Sequence, residues 1–227
     1  MARRLLISLL GVTLMLAPAT ASAKDKATAT PTSGPDPVLT WNANAGAAAL
    51  AGCLSPTGNP LQESRMYAMM HVAIHDALNG IDLQSQAYAI TLQAAPGTSP
   101  DAAVAAAARD VLVSVLGSFA FFLPAECISA GVASAEGDYA AALGAIPDGT
   151  AKTQGIALGQ DAAEAILTLR AADGYNAPPI DPNYQEGTAP GEYRYTPGTP
   201  FAFAPFLGRR HTLRDDGRLA VPPGPAI

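Results

Sequence analysis

The sequence predicts an all-α protein, a helical bundle of about five helices over residues 38–174, followed by an irregular Pro-rich tail over residues 175–227. Three observations lead there. Apolar residues recur at spacings of three and four, which lines one face of a 3.6-residue helical repeat. Helix start and stop signals punctuate the alanine-rich stretches between those repeats. Prolines then crowd the chain from Pro178 and Pro179 to Pro223 and Pro225, where continuous helix is impossible.

The N-terminus precedes the bundle. Arg3 and Arg4, the apolar run from Leu5 to Leu16 and the small triplet Ala21-Ser22-Ala23 have the layout of a secretory signal peptide over residues 1–23. The apolar run is too short for a membrane-spanning helix, which needs about 20 apolar residues. The expected product is therefore secreted or periplasmic, with no membrane association after cleavage. Residues 24–37, rich in Thr, Ala, Pro and Ser, are expected to form a flexible leader.

The first helix is expected from Leu39, Trp41 and the stretch Ala45 to Leu50, ending near Gly52. The second, from Pro60 to Asp82, carries Met66, Met70, Ala73, Ile74, Ala77, Leu78 and Ile81 on one face, with Asn79-Gly80 as a left-handed stop or near-stop at its end. Ser99-Pro100-Asp101 opens a third, because serine caps free N–H groups, proline fits the first turn and aspartate suits the positive helix end. A fourth starts at Leu123-Pro124-Ala125-Glu126 and closes at Pro147-Asp148-Gly149. Thr150 is expected to cap a fifth that stops at Asp173-Gly174. In the tail, Tyr175, Tyr184, Tyr193, Tyr195, Phe201, Phe203 and Phe206 are costly to leave in water and are expected to pack on a surface, one that this chain need not supply itself.

Composition limits the partners. The formal charge is −6, and signal cleavage would remove two arginines and make it more negative. Only Lys24, Lys26 and Lys152 are lysines, and no basic cluster precedes Arg209, which argues against nucleic acid or an anionic membrane as a partner. A 49% hydrophobic content is enough for a core. Cys53 and Cys127 are a disulfide candidate in an exported chain, the alternative being two separate buried thiols.

Chemistry-bearing patterns are sparse, and no complete catalytic site is expected. His71 and His75 lie at i and i+4 on the second helix and are candidate metal ligands. A zinc site needs three or four ligands, however, and the zincin motif needs glutamate where this chain has Val72. The readings left are a polar stripe of His71, His75 and Asn79 bonded to neighbouring helices, or an acid–base role. Asp76, off that stripe, is expected to bond to a loop or a helix terminus. Met66, Met69 and Met70 read as core filler. Neither a phosphate loop, a Gly-x-Ser-x-Gly elbow, nor a Ser-His-Asp set is legible, and Asp148-Gly149 and Asp173-Gly174 read as turns.

Four stretches nevertheless resemble a known family. They are Val38-Leu39-Thr40-Trp41-Asn42, the run from Glu63-Ser64-Arg65 through Met70-His71-Val72-Ala73-Ile74-His75-Asp76 to Asn79, the run from Ile166 to Asp173-Gly174, and Pro190-Gly191-Glu192-Tyr193-Arg194-Tyr195 to Gly198. Together they resemble the N-terminal half of bacterial vanadium-dependent haloperoxidase-like proteins, in the type 2 phosphatidic acid phosphatase superfamily, over residues 38–208. The resemblance implies an all-helical fold and, in the full-length family, vanadate held by lysine, arginine, a Pro-Ser-Gly-His segment and an axial histidine. Vanadate then activates peroxide for halide oxidation. None of those motifs occurs here: Lys152 lacks the following Arg-Pro, Pro-Ser-Gly-His is absent, and no histidine follows His211. The resemblance therefore assigns no catalytic residue and no cofactor to this chain. Its implied partner is a missing C-terminal catalytic half or a second protomer. Gly208-Arg209-Arg210-His211-Thr212 replaces an apolar run of the family, which suggests a truncated or frame-altered reading of a longer gene. The alternatives are a non-catalytic exported helical module or part of an acid-phosphatase-like hydrolase.

Overall fold

The structure is a computed structural model that describes residues 34–55, 60–119, 123–175, 180–181, 183–199 and 201–203. The signal-like segment, most of the leader, Phe206, Arg209, Arg210 and His211 lie outside the described residues. Five helices form the described body: α1 (Pro37–Ala51), α2 (Pro60–Ile81), α3 (Pro100–Gly117), α4 (Ala125–Gly144) and α5 (Thr150–Leu169). A two-residue ladder joins β1 (Ile180–Asp181) to β2 (Ala202–Phe203), antiparallel, with Ile180 opposite Phe203.

Alanine decides the architecture. Every residue from Ala102 to Ala108 on α3 is buried, so that helix has no solvent face over two turns, and it packs against all four others. Side chains this small let several helices close on one axis. Against α3, α5 presents Gly155 and Gly159, where an added Cβ would lie 2.4 Å from the Ser99 carbonyl oxygen and 2.3 Å from that of Ala103. Those separations leave no room for any side chain, so the two backbones touch. On its other side, α2 contributes Met66, Met69, Met70, Ala73, Ile74 and Ala77, all buried, and α1 contributes Trp41. The methionines fill the core, as their spacing predicts.

The helix boundaries repay attention to capping. Asp36 receives the N–H groups of Val38 and Leu39 at 2.8 and 3.3 Å, so Asp36 and Pro37 belong to α1 and not to the leader. Ser99 accepts the Ala102 N–H at 3.3 Å, as expected of it. Asn79-Gly80 lies just before the end of α2 at Ile81, as expected of a near-stop, but without a left-handed turn. Gly80 is required there by proximity instead: an added Cβ would come within 2.9 Å of Leu92 Cβ. Thr150 does not cap α5; it is the first helical residue, the cap position is Gly149, and no side chain caps that end. The α5 helix also ends at Leu169, short of Asp173-Gly174, because residues 170–175 turn back over the bundle.

Helix α4 is peripheral, with Gly131 and Ala135 its only buried residues. It is secured at its start, where Cys127 forms a disulfide with Cys53 just beyond α1. Four residues further on, an added Cβ at Gly131 would lie 2.9 Å from the Gly52 Cα, so backbone contact and disulfide together clamp α1 to α4. At mid-helix the Arg109 guanidinium of α3 lies 4.5 Å over the Tyr139 ring of α4, a cation–π contact. No described helix is long and apolar enough to cross a membrane.

Several of the tail aromatics have neighbours within the chain. Tyr175 is buried and its ring lies 6.3 Å from that of Phe119. Tyr184, Tyr193 and Tyr195 stack edge to face in sequence, at 5.7 and 6.2 Å. Edge-to-face packing suits the ring quadrupoles and buries part of each ring within the tail itself. Glu192 ties the turn beneath them by accepting the N–H groups of Thr188 and Ala189 at 2.8 Å.

Candidate functional site

Most of the chemistry-bearing side chains lie on α2, and the fold divides them between two clusters. The first surrounds Asp76, whose side chain is buried beneath the loop that follows α2. Its carboxylate accepts the backbone N–H groups of Tyr88, Ala89 and Ile90 at 2.7, 2.6 and 3.0 Å. A carboxylate left alone in an apolar interior would be costly, and three N–H donors replace the water it gives up. The expectation that Asp76 bonds to a loop is met. Asn79 performs a similar task one turn later: Oδ1 accepts the N–H groups of Gln84 and Ser85, each at 3.0 Å, while Nδ2 donates to the Ser85 carbonyl at 2.9 Å. Gly80 closes the far side of the loop by accepting the Ala94 N–H at 2.8 Å.

The two histidines separate in their partners. His71 Nε2 bonds Asn42 Oδ1 of α1 at 3.0 Å. His75 Nδ1 bonds Asp76 Oδ1 at 2.9 Å and its Nε2 bonds Ser85 Oγ at 2.8 Å. The polar stripe of His71, His75 and Asn79 thus bonds neighbouring elements. Both ring nitrogens of His75 and Nε2 of His71 are engaged, and no three His, Cys, Asp or Glu side chains converge among the described residues. No Ser-His-Asp set is legible in the sequence, yet the structure brings Ser85, His75 and Asp76 together, because the loop carries Ser85 back over the end of α2. Its only trace in the sequence is Asn79-Gly80, which signals a change of direction after His75.

The second cluster joins α2 to the turn after α5. Arg65 donates through Nε and Nη2 to Asp173 Oδ2 at 3.0 and 2.9 Å, and through Nη2 to the Arg170 carbonyl at 3.1 Å. Arg170, 4% exposed, donates from Nε to the same Asp173 oxygen at 3.2 Å. Asp173 Oδ1 accepts the Tyr175 N–H at 3.1 Å, and the Arg65 guanidinium lies 4.0 Å over the Tyr175 ring. These groups border a cleft of about 210 Å³ with Ser114 and Ser118 on its α3 wall. Asp173-Gly174 is a turn, with Gly174 at φ 77°, but Asp173 is also the anion on which two guanidiniums converge, the buried one of Arg170 and the partly exposed one of Arg65.

That convergence bears on vanadate. A multiply charged oxyanion needs several cationic donors free to point at it. Arg65 through Nε and Nη2, and Arg170 through Nε, direct these donors at Asp173, a carboxylate of the chain itself. Comparison with known proteins leaves the family open: no family model, no curated protein and no solved structure matches the chain.

Proposed function

We propose that this chain is the N-terminal helical portion of a secreted vanadium-dependent haloperoxidase-like protein: a scaffold that supports a separate vanadate-binding half and oxidises no halide alone. The observation that supports it most is the Arg65–Asp173 pair at 2.9 Å. It links two of the stretches on which the resemblance rests, 63–79 and 166–174, which are far apart in sequence. Within those stretches Arg65, Asp76, Asn79, Arg170 and Asp173 are all committed to internal hydrogen bonds. Such a division of labour suits a scaffold, with vanadate and its peroxide chemistry supplied by the partner half. A second reading, an exported helical module without catalysis, draws on the tail tyrosines, which pack on one another.

The test is reconstitution. The purified chain, given vanadate, peroxide and bromide, is expected to brominate phenol red no faster than a protein-free blank. Addition of a polypeptide translated from the DNA downstream of the Ile227 codon, carrying Pro-Ser-Gly-His and a late arginine and histidine, is expected to start the reaction. Enzyme-like bromination by the chain alone would overturn the proposal, as would downstream DNA that encodes no such motifs in any frame.

A further inference from the structure

The hydrogen bonds around His75 run in a particular order: Ser85 Oγ to His75 Nε2 at 2.8 Å, then His75 Nδ1 to Asp76 Oδ1 at 2.9 Å. Nucleophilic serine enzymes on unrelated folds share this order, and it is recognised by geometry and not by position in the chain. We propose that Ser85 is an activated nucleophile, with His75 as its general base and Asp76 as the positioning group, and that it takes acyl groups from small, activated carboxylic esters.

The proton positions follow from the donors and acceptors present. Asp76 accepts three backbone N–H groups, the role of an ionised carboxylate, which has no proton to give. The bond between Asp76 and His75 must then carry its hydrogen on Nδ1. In the neutral ring this leaves Nε2 as a bare acceptor, turned toward Ser85. The Ser85 hydroxyl has one other acceptor nearby, Asn79 Oδ1, but that oxygen is 3.5 Å away and already holds two backbone N–H groups at 3.0 Å. The hydroxyl proton therefore belongs on the line to Nε2.

The surrounding loop keeps this geometry in place. Asn79 holds Ser85 by both its N–H and its carbonyl, Asp76 holds the next turn at residues 88–90, and Gly80 holds Ala94. A serine on an untethered loop would spread over many positions; this one is fixed on both sides. Exposure is graded along the chain of bonds as well. The Asp76 side chain is sealed, that of His75 is 41% exposed, and Ser85 stands on the surface, where a substrate can reach it. A nucleophile on an open surface selects by reactivity and not by shape, which directs it to short-chain esters with good leaving groups.

In the reaction Ser85 Oγ attacks the ester carbonyl carbon as Nε2 removes the hydroxyl proton. The new Oγ–C bond forms, the bond from carbon to the departing alkoxide breaks, and Nε2 returns the proton to that alkoxide. Water, deprotonated by the same nitrogen, then cleaves the acyl group from Ser85 and restores its hydroxyl. No oxidant, metal or halide takes part, so the step is independent of any vanadate half.

The full chain is treated with a fluorophosphonate probe, in which Oγ–P bond formation expels fluoride and leaves a stable adduct. Mass spectrometry of the digest is expected to find one adduct, on Ser85. Ser85→Ala, which removes one exposed hydroxyl, is expected to retain its melting temperature and take no label. His75→Gln is expected to slow labelling by about 100-fold, the contribution typical of a general base, and imidazole in solution is expected to restore part of the rate in His75→Gly. In folded Asp76→Asn labelling is expected to slow, and Asp76→Glu, which keeps the carboxylate toward Nδ1, is expected to restore part of the rate. No adduct on the native chain, an adduct that survives Ser85→Ala, or undiminished labelling of folded His75→Gln would overturn the proposal.

Discussion

Asp173→Ala is expected to destabilise the protein by about 3–5 kcal/mol, the cost of leaving a buried charge without its partner. The size follows from what Asp173 holds. Its Oδ2 is the shared acceptor for Arg65 and Arg170, and its Oδ1 fixes the turn at Tyr175. Alanine would take the shared carboxylate from two guanidiniums, one of them 4% exposed, where α2 meets the turn after α5. Because a domain of this kind is stable by roughly 5–15 kcal/mol in total, such a loss is a large fraction of the whole. Urea unfolding followed by circular dichroism measures it as a fall in midpoint at constant slope. Asp173→Asn, which keeps an acceptor but not the charge, is expected to fall between the two. An unchanged midpoint in Asp173→Ala would mean that the Arg65 network is a surface ornament and does not hold α2 to the α5 turn.

Loss of the Cys53–Cys127 disulfide is expected to cost about 4 kcal/mol, on the chain-entropy model for a loop of this size. The bridged residues are 74 positions apart, so the open chain gains much freedom when the bond is absent. Native contacts offer little to replace it, since α4 buries only Gly131 and Ala135. Cys53→Ser is therefore expected to lower the urea midpoint and to speed hydrogen exchange in α4 before the rest of the bundle. The central helix α3, buried on every side along Ala102 to Ala108, is expected to exchange last. Equal exchange rates in α4 with and without the disulfide would show that side-chain packing alone secures that helix.

The helices were legible because their signals are local. Ser99 caps through an N–H three residues away, and the methionines of α2 repeat at helical spacing. Where local signals meet tertiary contact, contact sets the detail: Asn79-Gly80 reads as a stop or near-stop and α2 ends one residue later, while Asn79 holds residues 84 and 85 and Gly80 makes room for Leu92. Thr150 reads as a cap, yet the helix begins on it. The Arg65–Asp173 pair was not legible at all, since nothing local ties residues 108 positions apart. The cysteines were legible only as a choice between a bond and two thiols; the meeting of Gly52 with Gly131 brings them together. The relay of Ser85, His75 and Asp76 was hidden for a related reason, because it depends on how a loop returns.

In the tail, composition indicates only that the aromatic rings need a surface to pack on. What the composition could not express is that Tyr184, Tyr193 and Tyr195 come within reach of one another once Gly191 adopts its positive φ and Glu192 ties the turn.

A vanadium-51 nuclear magnetic resonance titration is the decisive measurement. With the chain added to dilute vanadate, the free vanadate signals are expected to keep their positions, widths and intensities, since Asp173 already takes the guanidinium donors of Arg65 and Arg170. A stoichiometric loss of the free signal, with a broad protein-bound resonance in its place that Arg65→Ala or Arg170→Ala abolishes, would show that this polypeptide holds the oxyanion by itself and would contradict its role as a scaffold.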